Sequence, residues 1–522
     1  MYIKKLKLHN FRRFRDLTIE FNSGRNVLVG DNESGKSSIL QAIDLTARGG
    51  RHRVEDLGLE TLFNTSCIRE FMEGDKNVEN LPDMWVELYL GSVSLEELDG
   101  KNNSDSIEAC GLRMTAEPNF SVGEDIKTIL CSDEPTFPFE FYDITFNTFS
   151  GASYNGYNKK LKTIFLDNST IGSEYALNEY ISAIYGTTLS PVEQQKIKHQ
   201  YVEAKSKFKT KFLSSFDEKL EDGYAFSVKN TGKNSLETDL TLEKDGVGIT
   251  NKGTGIQCFI KTQMALKRAG DGFDAILIEE PENHLSHLNM RKLLTEIEKE
   301  EGGQLFIATH SDLISTRLGL QNCILMNSEC GEVLKLDFVT SETASFFKKA
   351  PDNNMLQFVM AKKVVLVEGD AEFILMDAFC KKILGGTLDD MGIDVIAVDG
   401  KCFKRYLELA ERLKMRVAVL TDNDKDYNAH ITEAYDGYMN DEFYNIKVFS
   451  DSDNDRYTFE VAVYEDNSII CDNLFSSGRR TLPVQEYMLA NKAEAAFRLA
   501  SEKGKELAVP QYIKNALEWV NT

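Results

Sequence analysis

The stretch NVLVGDNESGKSSILQAIDL, residues 26–45, decides how the first half of the chain reads. Val27–Val29 is a short apolar run of the buried-strand kind, and the segment after the turn carries apolar residues at helical spacing. Between them lies Gly30-x-x-x-x-Gly35-Lys36-Ser37. Glycines in such a turn let backbone N–H groups wrap an anion at a helix N-terminus, where the helix dipole already favours negative charge. In this strand–turn–helix setting the spacing is that of a P-loop: the lysine reaches the outer phosphates of a nucleotide, and the serine hydroxyl ligates Mg²⁺. Gly30, Asn32, Ser34, Gly35, Lys36, Ser37 and Ser38 are therefore candidate ATP contacts, with Ser37 also a metal ligand. A glycine-rich turn arising by chance would not be expected to bring both flanking elements.

Outward from the turn, Ile3, Leu6 and Leu8 fall roughly on strand period, and Leu17, Ile19 and Phe21 alternate. The acidic partner a P-loop needs comes about 240 residues later, in DAILIEEPENHLS (274–286). Ala275–Ile278 reads as a buried strand ending in Glu279, which would complete the Mg²⁺ shell, and Glu280, which would orient or activate the attacking water. GGQLFIATHSDLI (302–314) is a further apolar strand ending in Thr309-His310-Ser311. A lone histidine is more often a satisfied polar residue, but His310 ends a strand parallel to the Glu279 strand, where a γ-phosphate sensor would sit. HLSH (284–287) has i, i+3 spacing that a two-histidine metal site on a helix could use, yet lacks the H-E-x-x-H arrangement and reads as a loop. Residues 178–215 are polar and helix-prone, consistent with a helical insertion for dimerisation or with a solvated helix hairpin.

Composition bounds the rest. The chain has 522 residues, 42% hydrophobic and 27% charged, enough for two to four soluble domains. No apolar run approaches the ~20 residues of a membrane-spanning helix, and MYIKKLKLHNFRRF lacks the apolar core of a signal peptide, so a cytoplasmic protein without membrane contact is expected. Nine scattered cysteines without a C-x-x-C pair suggest neither a disulfide framework nor a zinc ribbon. The net charge of −23 opposes nucleic-acid binding overall, although KIKHQYVEAKSKFKTK (196–211) is locally basic and carboxylates loaded with cations lose their charge.

From residue 360 the pattern changes. KKVVLVEGDAEFILMDAFCKKIL (362–384), GIDVIAVDGK (392–401), RVAVLTDND (416–424) and NIKVFS (445–450) alternate buried strands with helical segments, which suggests a compact parallel sheet. Ligands on such sheets gather beyond the carboxyl ends of the strands. Glu368 ends one strand and Asp422 and Asp424 another, their i, i+2 spacing placing both on one face; Glu372 follows Glu368 by one helical turn. Four converging carboxylates repel unless cations neutralise them, and hard oxygen donors suit Mg²⁺ or Mn²⁺. A calcium loop is the rival: Asp422, Asp424, Asp426 and Glu433 fall at its ligand positions. Its sixth position should be glycine but is Tyr427, and the preceding VAVLT is β-like. DSDND (451–455) reads as an exposed loop.

Together these motifs carry a resemblance. The P-loop, G-x-G-x-Q, E-E-P-E and T-H-S order resembles the ABC-type ATPases of the RecF/SMC/OLD kind, whose nucleotide is sandwiched between two heads. The resemblance implies that NKGTGIQCFIKTQMAL (251–266) is the signature segment, with Gly253, Gly255 and Gln257 reaching a γ-phosphate bound by the other subunit; a flexible hairpin end also accounts for G-x-G. It implies that Arg12, in NFRRF (10–14), contacts nucleotide; no Q-loop stands out between 130 and 175. VEGDAEF and TDNDKD resemble the Toprim signature. A topoisomerase would need a tyrosine-nucleophile domain, and a primase would not carry an ABC head. An ABC ATPase followed by Toprim resembles the OLD (overcoming lysogenization defect) nucleases over nearly the whole chain. The expected fold is α/β: an ATPase head in two parts (1–177 and 216–350) around the insertion (178–215), then a Toprim domain with a small parallel sheet (360–522).

That family implies more. TFEVAVYE (458–465) resembles its later T-x-E motif, making Glu460 a fifth carboxylate, and NKAEAAFRLA (491–500) its K-x-x-x-A segment, with Lys492 stabilising the pentavalent phosphate. A strand-edge glutamate and a helix-surface lysine are the plainer alternatives. The implied activity is ATP-gated, metal-dependent cleavage of DNA by a homodimer or higher homo-oligomer. The implied role is antiphage defence, with a helicase-like protein or a retron reverse transcriptase and its DNA as a second component. The rivals are a non-nucleolytic ATP-dependent sensor and a RecF-like repair ATPase.

Overall fold

The computed structural model describes the chain apart from residues 92–94, 157, 168–180, 183, 220–223, 229–235, 245, 268–272, 300–301, 328–332, 350–353, 399–401, 414, 440–443 and 476–481. The start of the expected insertion, 178–180, lies outside the described residues. The chain forms two compact units: residues 1–310 with 322–336, and residues 311–321 with 337–522.

The strands of the first unit are, in chain order, β1 (Tyr2–Phe11), β2 (Phe14–Glu20), β3 (Arg25–Gly30), β4 (Met84–Gly91), β5 (Asp99–Gly100), β6 (Ala109–Pro118), β7 (Tyr142–Thr148), β8 (Thr163–Asp167), a short hairpin of β9 (Glu243–Lys244) and β10 (Val247–Gly248), then β11 (Ala275–Glu279), β12 (Gln304–Thr309), β13 (Cys323–Met326) and β14 (Val333–Lys335). An antiparallel sheet has the order β2-β1-β4-β6-β5, with β7 also on β6. Ile3, Leu6 and Leu8 of β1 are all buried although their spacing slips by one, because the register against β4 shifts between Ile3 and Lys5. That irregularity reconciles an odd interval with a single buried face.

The second sheet, β14-β13-β3-β12-β11-β8, is parallel apart from the β13–β14 pair. Its central strands read as unbroken apolar runs because both faces are covered. The helix Lys36–Arg48 packs against strands of both sheets and buries Ile39, Leu40, Ala42 and Ile43 in their common core. The order puts β12 between β3 and β11, so the turn after Gly30, the end of Glu279 and the end of Thr309 share one sheet edge. Beyond residue 190, the helix Pro191–Phe208 starts at a capping box between Ser190 and Glu193 and buries no residue of its own.

In the second unit β15 (Lys363–Val367), β16 (Ile393–Ala397), β17 (Arg416–Leu420) and β18 (Ile446–Phe449) form a four-stranded, all-parallel sheet in the order β16-β15-β17-β18. The helices Asp370–Leu384 and Gln511–Asn521 cover it. Ile513, Ala516, Leu517 and Val520 of the latter are fully buried at helical spacing. Burial of each large aliphatic side chain among them stabilises by ~1.5–3 kcal/mol, which fixes that helix against the sheet. TFEVAVYE is not at a strand edge. Thr458 caps a helix, Phe459–Asp466, and Glu460 lies in its first turn.

Candidate functional site

In the first unit, Gly35 sits in the left-handed region (φ 97°), where a Cβ would fall 2.4 Å from the Phe14 ring. Only glycine can let the loop turn this close to the β1–β2 hairpin. The Lys36 ammonium donates to the Gly30 and Asp31 carbonyls, both at 2.7 Å. Burial lowers its pKa, while Glu280, Asp31, Glu282 and Glu279 pull it back up. A cleft of about 540 Å³ opens here, lined by Arg12, Asn32, Lys36, Ser37, Glu279 and Glu280 among others. Gly35 and Ser38 line it too, whereas Gly30 and the buried Ser34 do not.

Arg12 occupies the tip of the β1–β2 hairpin with φ 50°, its N–H donating to Leu62 O (2.6 Å) and its carbonyl accepting from Asn64 Nδ2 (2.7 Å). Its guanidinium is desolvated and drawn to Glu279. Burial raises the Glu279 pKa, a hydrogen bond from Ser37 lowers it, and Asp167 and Glu280 raise it. Asp167 is a residue that sequence reading missed. It pairs in register with Glu279 across β8 and β11, a proximity set by a strand order with no local sequence signal. Glu282 was also unassigned: its Oε1 accepts from Thr309 Oγ1 (2.6 Å) and His310 N (2.9 Å) and lies 3.3 Å from His310 Nδ1. Glu280 stands 3.7 Å from the same imidazole nitrogen.

Gly253, Gly255 and Gln257 do not line the cleft. Gly253 caps the helix Thr254–Leu266, and the buried Gln257 donates from Nε2 to Lys252 O at 2.7 Å. A Cβ on Gly255 would lie 2.1 Å from the His284 carbonyl oxygen, so this helix start is pressed onto the loop that follows Glu280. His284 itself precedes the helix His287–Lys299, in a left-handed conformation, so His284 and His287 do not share a helix face.

In the second unit β15 and β17 are neighbours, and Glu368 reaches across the sheet edge to accept from Thr421 Oγ1 (2.6 Å) and Asp422 N (2.9 Å). Glu372, 8% exposed, is in the first turn of the following helix. Burial, then Glu460 and Glu368, push its carboxyl up to about 7 against Lys492. Burial, then Glu368, Glu372 and Glu460, push Asp422 up to about 8, again opposed by Lys492. One Asp422 oxygen accepts from Phe459 N at 2.9 Å. Glu460 is 3% exposed; its Oε1 is 3.0 Å from Lys492 Nζ, and its Oε2 is buried without a hydrogen-bond partner. Desolvation lowers the Lys492 pKa, but Glu460, Asp422 and Glu372 together raise it.

Asp424 departs from the alternation argument. The strand ends at Leu420, Asn423 turns inward, and Asp424 is exposed with φ 48°, its N–H donating to Tyr457 O. Period-two spacing thus does not place it on one face with Asp422, because the chain has left the strand. Asp426 is exposed and accepts from Ala429 N, and Glu433 accepts from Asn428 Nδ2.

Among the described residues no three His, Cys, Asp or Glu side chains stand together as a ready cation shell. In kind, however, the donors fit a hard divalent cation: carboxylates near enough to raise one another's pKa values, two of them strongly, and one buried oxygen lacking a partner.

Residues 359–424 match the family model described as overcoming lysogenization defect protein-like, Toprim domain, and residues 1–80 and 147–314 match that of an AAA ATPase domain. A DNA replication and repair protein RecF of Clostridium novyi is 27% identical over 264 residues, 46% of this chain and 65% of the relative. One of Pediococcus pentosaceus is 51% identical over 53 residues, 10% of this chain and 14% of that protein. The chain thus spans less than two thirds of the length of these curated relatives. Among solved structures, the C-terminal region of the Burkholderia pseudomallei OLD protein superposes with TM-score 0.25 and 23% identity, covering 31% of this chain and 97% of that one. No helix among the described residues is long and apolar enough to cross a membrane. The chain therefore joins a segment matching an AAA ATPase domain to one matching a Toprim domain of the overcoming lysogenization defect protein-like type.

Proposed function

We propose that the chain is an ATP-hydrolysing, Mg²⁺- or Mn²⁺-dependent endonuclease of DNA, gated by nucleotide-driven pairing of two heads and serving in antiphage defence beside a second component. The observation that carries this reading is the gathering of Glu368, Glu372, Asp422, Glu460 and Lys492 at one edge of a parallel sheet, in a chain that also builds a P-loop cleft. Glu368, Glu372, Asp422 and Glu460 are the residues that would hold the metal, with the exposed Asp424 a further carboxylate two residues past Asp422. When bound, the cation supplies water activation and charge neutralisation at the scissile phosphate.

The protein's own groups divide the remaining work. Lys492, kept cationic by Glu460, offers an N–H donor where negative charge builds on the phosphate. Thr421 and the Asp422 N–H hold Glu368 in place. In the cleft, Lys36 exchanges two loop carbonyls for phosphate oxygens, Glu280 orients water, and Glu282 aims His310. Gly253, Gly255 and Gln257 serve the cleft of a second head.

The test is cleavage of supercoiled and linear DNA with Mg²⁺ or Mn²⁺, with and without ATP, comparing the protein with Asp422→Ala. Cleavage that disappears in the variant is expected. DNA left intact by both proteins under every condition, the neighbouring gene product included, defeats the nuclease reading.

A further inference from the structure

The second unit contains another cavity of about 540 Å³, between β18 and the helix Gln511–Asn521. Trp519, Phe449, Tyr512 and Tyr427 supply aromatic surface to it, and Lys447, exposed, supplies a positive charge. Trp519 is held from two directions. The Phe449 ring lies 5.9 Å away at 57°, and the Arg416 guanidinium sits 4.6 Å from the indole centroid. The Ser450 hydroxyl at the wall is buried with no hydrogen-bond partner, and Asn515, whose Oδ1 accepts from Gln511 Nε2 at 2.8 Å, also belongs to the lining.

The cavity adjoins the carboxylate cluster along the chain and in space. Tyr427 follows Asp422 by five residues, and the Thr421 N–H donates to Phe449 O at 3.2 Å, which sets the cavity's strand beside the one that leads into Asp422. The Tyr512 phenol, whose pKa is raised first by burial, also feels Asp422, Glu372, Asp451 and Glu460. An immobilised aromatic platform, a cation at its rim and one polar group without a partner at its wall suit a nucleobase: a face to stack on, a charge for the flanking phosphate and a partner for the base edge.

We propose that this groove is a nucleobase subsite that takes an unpaired base of the DNA strand entering the carboxylate cluster. The inference rests on the proposed DNA-cleaving function for the identity of the strand, but not for its test. A stacked duplex shows its bases only by their edges, so the subsite favours single strands, frayed ends and distorted duplex.

The experiment measures fluorescence anisotropy of the full chain with a labelled oligothymidylate and with a blunt duplex of equal length. Quenching of tryptophan emission on titration with unlabelled strand is followed in parallel. Trp519→Ala is expected to weaken oligothymidylate binding on the order of 10-fold while leaving ATP hydrolysis and duplex affinity unchanged. Trp519→Phe is expected to restore most of the loss. Should Trp519→Ala fail to fold, Lys447→Ala serves. It is expected to weaken strand binding and to lower the salt slope by about 0.7. Wild-type affinity in folded Trp519→Ala and in Lys447→Ala overturns the subsite, whatever the cleavage assay gives. Equal loss on single strand and duplex, or quenching by thymidine monophosphate at the oligonucleotide's own concentrations, overturns it as well. Strand binding as expected without cleavage supports the subsite and counts only against the nuclease reading.

Discussion

Burial and its neighbours hold the Asp422 carboxyl up to about 8 and Glu372 up to about 7, both far above ordinary carboxylates. Without metal, the folded protein therefore binds protons more tightly than the unfolded chain between pH ~4 and 8, and stability falls as pH rises through that window. Asp422→Asn removes the cost of the buried charge. We expect it to stabilise the metal-free protein by roughly 2 kcal/mol at pH 8–9, with little effect near pH 4, while abolishing cleavage. Thermal melts in chelator at the two pH values check this; a variant less stable at pH 9 refutes it. Lys492→Met acts in the opposite sense, because it leaves the nearly inaccessible Glu460 unpaired. A loss of ~1–3 kcal/mol is expected in the same melts, relieved by the further change Glu460→Gln. At this scale the sequence was readable where a residue's placement follows from its immediate neighbours, as with Lys36 at the cleft and Glu368 beside Asp422. It misled at Asp424, since no local signal reveals that the strand stops at Leu420 and the chain turns left-handed.

Elements explain what single residues do not. The turn between β3 and the helix Lys36–Arg48 is legible because strand, glycines and helix are contiguous. Asp167 is not, because it meets Glu279 only through the pairing of β8 with β11 across more than a hundred residues of chain. Glu460 lies between these cases: its motif was recognisable, but its place in a helical first turn, capped by Thr458, was not. The helix Thr254–Leu266 offers the sharpest test. Gly255→Ala drives a methyl into the His284 carbonyl, which can be relieved only by moving the helix off the loop after Glu280. We expect ATP hydrolysis to fall about 10-fold or more, with ~1–3 kcal/mol lost in stability and ATP binding largely kept. Hydrolysis equal to the unaltered protein would show that this packing has no bearing on the cleft.

For the whole molecule, a net charge of −23 means that DNA must be met by local features rather than by a general field. The gating proposal separates two variants. Glu280→Gln is expected to slow ATP hydrolysis by roughly 100-fold while preserving binding, so that ATP accumulates a larger species in sedimentation. Lys36→Ala is expected to give no ATP-dependent change in size at all. Identical sedimentation of both variants with ATP would refute nucleotide-driven pairing. The division of the chain has a consequence of its own. The backbone passes between the two units at 310–311, 321–322 and 336–337. The short helix Asp312–Arg317 belongs to the second unit, where Asp312 accepts from Leu356 N at 2.6 Å and Ile314 is fully buried. A graft that exchanged only the residues after Asp337 would strand that helix with a foreign core. The two halves are thus poorly suited to trade between lineages as cassettes, and change in one is expected to be inherited together with change in the other.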